Sequence, residues 1–199
     1  MKLKPTAQQW AWLSAVLLGL HLNSAKALES DVSNALQTIG GIYSSIYIHE
    51  IGHALAYKVF GATDISIQVP MKGKLLGGLT TATFPANEFT QREALITSVT
   101  GLIAANLAGE IVIQNSNFHP SPFAQSILGT ALVSNVRHVH MYYTEYVGMD
   151  GYSGNDLDRF ESQGGNPHLF AAGLLVYSAW SMHRMNKQKI PLFFIHLNF

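Results

Sequence analysis

Long apolar stretches separated by short polar ones set the frame of this chain. Residues 34–60, 93–113, 122–143 and 168–182 are each rich in Leu, Ile, Val, Ala, Phe and Gly, which predicts four helices. By apolarity and by length, against the roughly 20 residues that hydrocarbon requires, all four are expected to cross a membrane, the last being the shortest. Between the first two the period changes. Ile65, Ile67 and Val69 alternate with Ser66 and Gln68, and residues 79–84 are rich in threonine, so a β-hairpin turning near Lys72-Gly73-Lys74 is expected. Glycine and asparagine dominate residues 148–167, a non-helical connection with a short helix at 157–162, and it carries Asp150, Asp156, Asp158 and Glu161. The expected fold class is therefore mainly α: a polytopic membrane helix bundle with a small β-hairpin after the first of the four helices.

The first residues have a different pattern. Lys2 and Lys4 precede an apolar run at 10–22, and Ala25-Lys26-Ala27 matches the small-x-small signature of signal cleavage. Residues 1–27 are thus read as a signal peptide or a first membrane span, and 28–199 as a single domain. Lys58, Lys72, Lys74 and Arg92 would face the cytoplasm. Strict alternation then places Arg184, Lys187 and Lys189 on the opposite side, against the positive-inside rule, unless the last segment is re-entrant.

Composition agrees with an apolar environment. Hydrophobic residues are 48% and charged residues 12%, with a mean hydropathy of +0.15; a soluble domain carries about twice that charge. The expectation is a multi-pass integral membrane protein of the bacterial inner-membrane type, with the lipid bilayer as a partner. Twelve basic and twelve acidic residues cancel, which excludes a broad basic face for nucleic acid. Cysteine is absent, so thiolate metal sites and cysteine nucleophiles are excluded, and any metal is held by His, Asp or Glu.

The chemistry concentrates at His49-Glu50-Ile51-Gly52-His53. Residues four apart share a helix face, so His49 and His53 can offer two imidazoles to one zinc ion while Glu50 stands beside them as a base. Ionisable groups inside a span cost on the order of 2.5–3.5 kcal/mol each, a penalty that a metal and a water cavity would offset. Gly52 and Ala54 suit close packing of this helix on a neighbour. No third histidine continues the motif, which excludes the metzincin pattern. A third ligand is then sought among Asp150, Asp156, Asp158, Glu161, His138 and His140. Asp156 is preferred, because Gly154-Asn155 can aim its carboxylate back to the zinc helix, although the same residue could cap the short helix that follows.

His49-Glu50-Ile51-Gly52-His53-Ala54-Leu55 resembles the first motif of the site-2-protease-like intramembrane zinc metallopeptidase family, in the compact branch without a PDZ domain. Leu76-Gly77-Gly78-Leu79-Thr80 resembles that branch's Gly-Gly-x-Thr strand. Thr100-Gly101-Leu102-Ile103-Ala104-Ala105-Asn106 resembles its Gly-x-x-x-Asn helix, and Ser153-Gly154-Asn155-Asp156 its later Asp motif. The likeness spans residues 42–175. Leu102 stands where the family has proline, and the longer Asn-x-x-Pro-x-x-x-Leu-Asp-Gly pattern survives only as Met149-Asp150-Gly151, which makes Asp150 the rival ligand. The resemblance implies hydrolysis of a peptide bond within or beside a membrane segment of a substrate protein, with zinc on His49, His53 and Asp156 and water activated by Glu50. The alternative is a non-catalytic zinc-binding membrane scaffold or transporter component, for which His138, His140 and Glu145 could form a metal path.

Overall fold

The computed structural model describes residues 28–72, 75–85, 88–144 and 155–193. The leader reading of residues 1–27, the turn residues Gly73 and Lys74, and the rival ligand Asp150 lie outside the described residues.

Five helices and one two-stranded ribbon make up the fold: α1 (Leu28–Val59), β1 (Asp64–Gln68), β2 (Leu79–Thr83), α2 (Gln91–Gln114), α3 (Pro122–Tyr143), α4 (Asp156–Ser162) and α5 (Pro167–Gln188), with a 3-10 turn at Ser116–Phe118. Local chemistry sets the boundaries. Gly61, at φ 88°, follows α1, and the Ala62 N–H donates to the Tyr57 carbonyl at 3.0 Å, a left-handed C-terminal turn in which glycine carries no Cβ penalty. Thr90 and Glu93 form a reciprocal capping box at the start of α2. Ser121 and Asn166 cap α3 and α5, each followed by a proline that lacks the N–H the first turn cannot use.

Helix α1 packs along α2 and α3, α2 and α3 pack on each other, and α4 and α5 close the far side. One apolar core joins Val112, Ile113, Leu128, Leu132 and Met185; a second joins Leu102, Val139, Leu157, Ala171 and Leu174. Gly52 makes the α1–α2 approach possible: a Cβ there would run into the Thr100 carbonyl oxygen. Asn106 and Asn135 exchange amide hydrogen bonds at 3.1 and 2.9 Å, and Asn135 also donates to Ser178 Oγ at 3.0 Å. Asn106 thus serves helix packing. Arg184 grips both Glu110 oxygens at 2.9 Å and lies over the Trp180 ring. The ribbon is antiparallel, with Asp64 opposite Thr83 and Gln68 opposite Leu79, and it rests on α1.

The expectation of a polytopic membrane bundle is corrected. Among the described residues only α2 is long and apolar enough to cross a membrane, and half of its apolar window is buried inside the fold. The multi-pass inner-membrane placement falls with it. Apolar content over a window hides where the polar positions point. Helix α1 buries Gln37, Thr38, Ser44, Ser45, Glu50 and His53; α3 buries Gln125, Ser126, Asn135 and His138; α5 buries Ser178 and Ser181. These helices turn polar stripes inward and leave Leu36, Leu55, Val133, Val136, Val176 and Trp180 exposed.

Replacing Gly52 by alanine forces α1 away from α2. Overpacking of this kind costs about 1–3 kcal/mol, so denaturant unfolding of Gly52→Ala should show a lower midpoint at unchanged slope.

Candidate metal centre

Two helices deliver the site. His49 and His53 lie on successive turns of α1, with Glu50 between them on the face toward the ribbon. Asp156 opens α4, and its neighbour Asn155 places it: the buried Asn155 side chain accepts from the Leu157 N–H at 3.1 Å and donates to the His138 carbonyl at 3.2 Å, tying α4 to the end of α3. Leu157, fully buried, anchors the same turn from below.

The donor atoms converge. His49 Nε2 and His53 Nε2 are 3.1 Å apart, and Asp156 Oδ2 lies 3.1 Å from the first and 3.5 Å from the second. A tetrahedral ion with bonds of about 2.0–2.1 Å to nitrogen and oxygen holds neighbouring donors about 3.3–3.4 Å apart, which these three edges match. The tautomers also fit. His53 Nδ1 lies 2.7 Å from the Thr97 carbonyl, which can only accept, so this nitrogen carries the proton and Nε2 presents its lone pair. Asp156 Oδ2 is buried and, despite its short distances to the rings, receives no hydrogen bond. A buried carboxylate oxygen beside the bare Nε2 of His53 is a place where a cation would be held. His49, His53 and Asp156 could therefore hold a metal ion.

Charge follows the same logic in the protein without metal. Burial disfavours ionisation of Asp156, but the His49 and His53 rings outweigh it and hold the carboxyl well below the usual carboxylate range. Burial also disfavours charging His53, yet the Asp156 carboxylate and, more weakly, Glu50 raise its pKa. His138, wholly enclosed, is pushed down to about 4 by burial.

No family model, no curated protein and no solved structure matches this chain. What the centre can do is thus argued from its own residues.

Glu50 is buried and fixed by Thr80, whose hydroxyl lies 2.6 Å from Glu50 Oε2 and 3.0 Å from the Glu50 carbonyl. Two glycines make the room: a Cβ on Gly78 would strike the Glu50 side chain, and one on Gly101 would strike Nε2 of both His53 and His49. A cavity of about 220 Å³ opens beside them, lined by His49, Glu50 and His138 and by apolar side chains including Ile42, Ile46 and Leu76. Of the other third-ligand candidates, His138 joins the cluster with Nε2 3.7 Å from Asp156 Oδ2, whereas His140 is exposed, Asp158 is half-buried elsewhere and Glu161 is exposed. Sequence reasoning missed the hold of Thr80 on Glu50 and the clearance at Gly78 and Gly101. The Gly77-Gly78-Leu79-Thr80 and Gly101 matches carried that signal.

The purified protein should bind about one divalent ion per chain, with His49→Ala, His53→Ala and Asp156→Ala each weakening it by at least roughly tenfold and Asp158→Ala leaving it unchanged. Binding requires a bare His53 Nε2, and the His53 pKa is raised above 6.5, so affinity should already fall as pH drops toward 6.5. Competition titration with a chromogenic chelator at pH 8, 7 and 6 measures both.

Proposed function

We propose that this chain is a zinc-dependent peptidase of the site-2-protease type, hydrolysing peptide bonds within or next to membrane segments of substrate proteins. The carrying observation is a buried carboxylate, Glu50, beside a three-donor group that leaves one tetrahedral position for a non-protein ligand. A structural site has no need of a base between its histidines. Zinc is favoured by the donor set, two imidazoles and a carboxylate without thiolates. When bound, zinc polarises the scissile carbonyl and lowers the pKa of water toward about 7.

The chain's own residues supply the rest. Glu50 would take the proton of the attacking water as the C–O bond forms and the carbonyl π bond opens, then deliver it to the amide nitrogen, which leaves as the amine when the C–N bond breaks and the carbonyl re-forms. Thr80 holds Glu50 Oε2 and keeps its carboxylate oriented. The Thr97 carbonyl orients the His53 imidazole. A substrate enters in extended form along the outer edge of β2, where the ribbon has no further strand among the described residues, and places its apolar side chains against Ile42, Ile46 and Leu76. The exposed Leu36, Leu55, Val133 and Val176 support a lipid-associated substrate.

Glu50→Gln keeps the shape of the site and removes the base. With a quenched fluorescent peptide bearing an apolar stretch, presented in phosphatidylcholine vesicles, kcat should fall by about 10²–10⁴ while zinc content stays at the wild-type level. Equal turnover by wild type and variant refutes Glu50 as the base; zinc binding with no turnover in either favours the non-catalytic scaffold reading.

A further inference from the structure

We propose that Arg137 is a specificity-determining residue, which makes the cavity select substrates that carry a carboxylate close to the scissile bond. This rests on the peptidase reading above and deepens it by naming a substrate class.

The first support is the uneven lining of the cavity. Ile42 and Ile46 of α1, with Met71 and Leu76 beside the ribbon, make its lining apolar there. The α3 side differs. Thr130, Ser134 and Arg137 follow one another at intervals of four and three residues, so they share one face of that helix and bring two hydroxyls and a guanidinium to the cavity. Arg137 is the only lysine or arginine in the lining.

The second support is what these groups lack. Arg184 pairs with Glu110, whereas Arg137 has no carboxylate partner among the described residues. The Thr130 hydroxyl oxygen is buried without a hydrogen-bond partner, a donor and acceptor left for an incoming polar group. Glu50, the one carboxylate in the lining, is already engaged by the Thr80 hydroxyl at 2.6 Å. The cation therefore faces a space in which its partner has to come from outside the chain.

The third support is the chemistry of the fork. A guanidinium offers paired N–H donors that match the two oxygens of a carboxylate. A peptide that reaches His49 and Glu50 shares the cavity with Arg137, which places the recognised group within a few residues of the bond to be cut. Two sources offer that group: an aspartate or glutamate side chain, and a free C-terminus. Arg137 is exposed, so the attraction acts partly through water, which keeps it modest and makes it sensitive to salt.

Peptide binding tests this without relying on turnover. Dansyl peptides with amidated C-termini carry one Glu, Gln or Lys, moved stepwise along an otherwise apolar sequence; a further peptide keeps its free C-terminal carboxylate. Anisotropy is read with the full-length, zinc-loaded Glu50→Gln variant, which leaves the peptides intact. At one position Glu should bind about fivefold more tightly than Gln at low salt, and the advantage should shrink as salt is added. Arg137→Gln should abolish the preference, and Arg137→Glu should turn it toward Lys, a gain that misfolding cannot imitate. Tighter binding of the free acid than of its amide, again lost in Arg137→Gln, assigns the carboxylate to the chain end. Equal affinity for Glu and Gln at every position and for acid and amide overturns the proposal, as does a preference that survives Arg137→Gln. Weaker binding of Arg137→Gln to phosphatidylglycerol vesicles, with no peptide preference in either protein, gives the cation to a lipid headgroup and overturns it too. If the protein with Glu50 intact cuts none of the peptides while the Arg137-dependent preference persists, the peptidase reading fails and the carboxylate selectivity of the cavity stands.

Discussion

Everything in this molecule is arranged around one buried anion. The Asp156 carboxylate lies in the protein interior with three imidazoles turned toward it and no hydrogen bond to its inner oxygen. Burial of an unpaired charge costs several kcal/mol, so the fold is tolerable only if that charge draws a cation or protons. The raised pKa of His53 is the proton solution and a divalent ion is the metal solution. Both require that α1 and α4 meet at one point.

The scaffold meets that demand by subtraction. Glycine at 52 lets α1 reach α2, glycine at 101 leaves space for two imidazole edges, and glycine at 78 leaves space for a carboxylate. Gly78 and Gly101 face groups of the centre and Gly52 faces the α2 backbone, so the missing side chains define the volume as much as the present ones do. The polar pairing of Asn106, Asn135 and Ser178 then fixes how α2, α3 and α5 sit against each other, because a shift by one residue would leave buried amides without partners.

His49, Glu50, His53 and the hairpin were legible in the sequence because their signals are local: a helical i, i+4 spacing and a switch to period two. Asp156 was reached through the turn chemistry of Gly154-Asn155, yet Asp158 could be set aside only by helical phase, since the two are separated by a single residue. His138 was named among many candidates, and nothing in its neighbourhood sets it apart from His140; the α3 face that makes one buried and the other exposed is a tertiary fact. Three of the four expected membrane spans were misread for the opposite reason: the serines, asparagines, glutamines and histidines within them bring their mean hydropathy below that of a membrane helix, and several of these side chains point into the protein.

One hydroxyl carries a mechanical implication. Thr80 sits in a strand and donates to a side chain in a helix, reaching both the carboxylate and the main-chain oxygen of Glu50. Among the described residues the ribbon is two strands wide, so an extended chain lying along the outer edge of its second strand would add hydrogen bonds and its departure would remove them. Any slide or twist of the ribbon that accompanies this exchange moves the Thr80 oxygen relative to α1. The edge of the sheet and the Glu50 carboxylate are in this sense two ends of a single lever, with its fulcrum at one threonine.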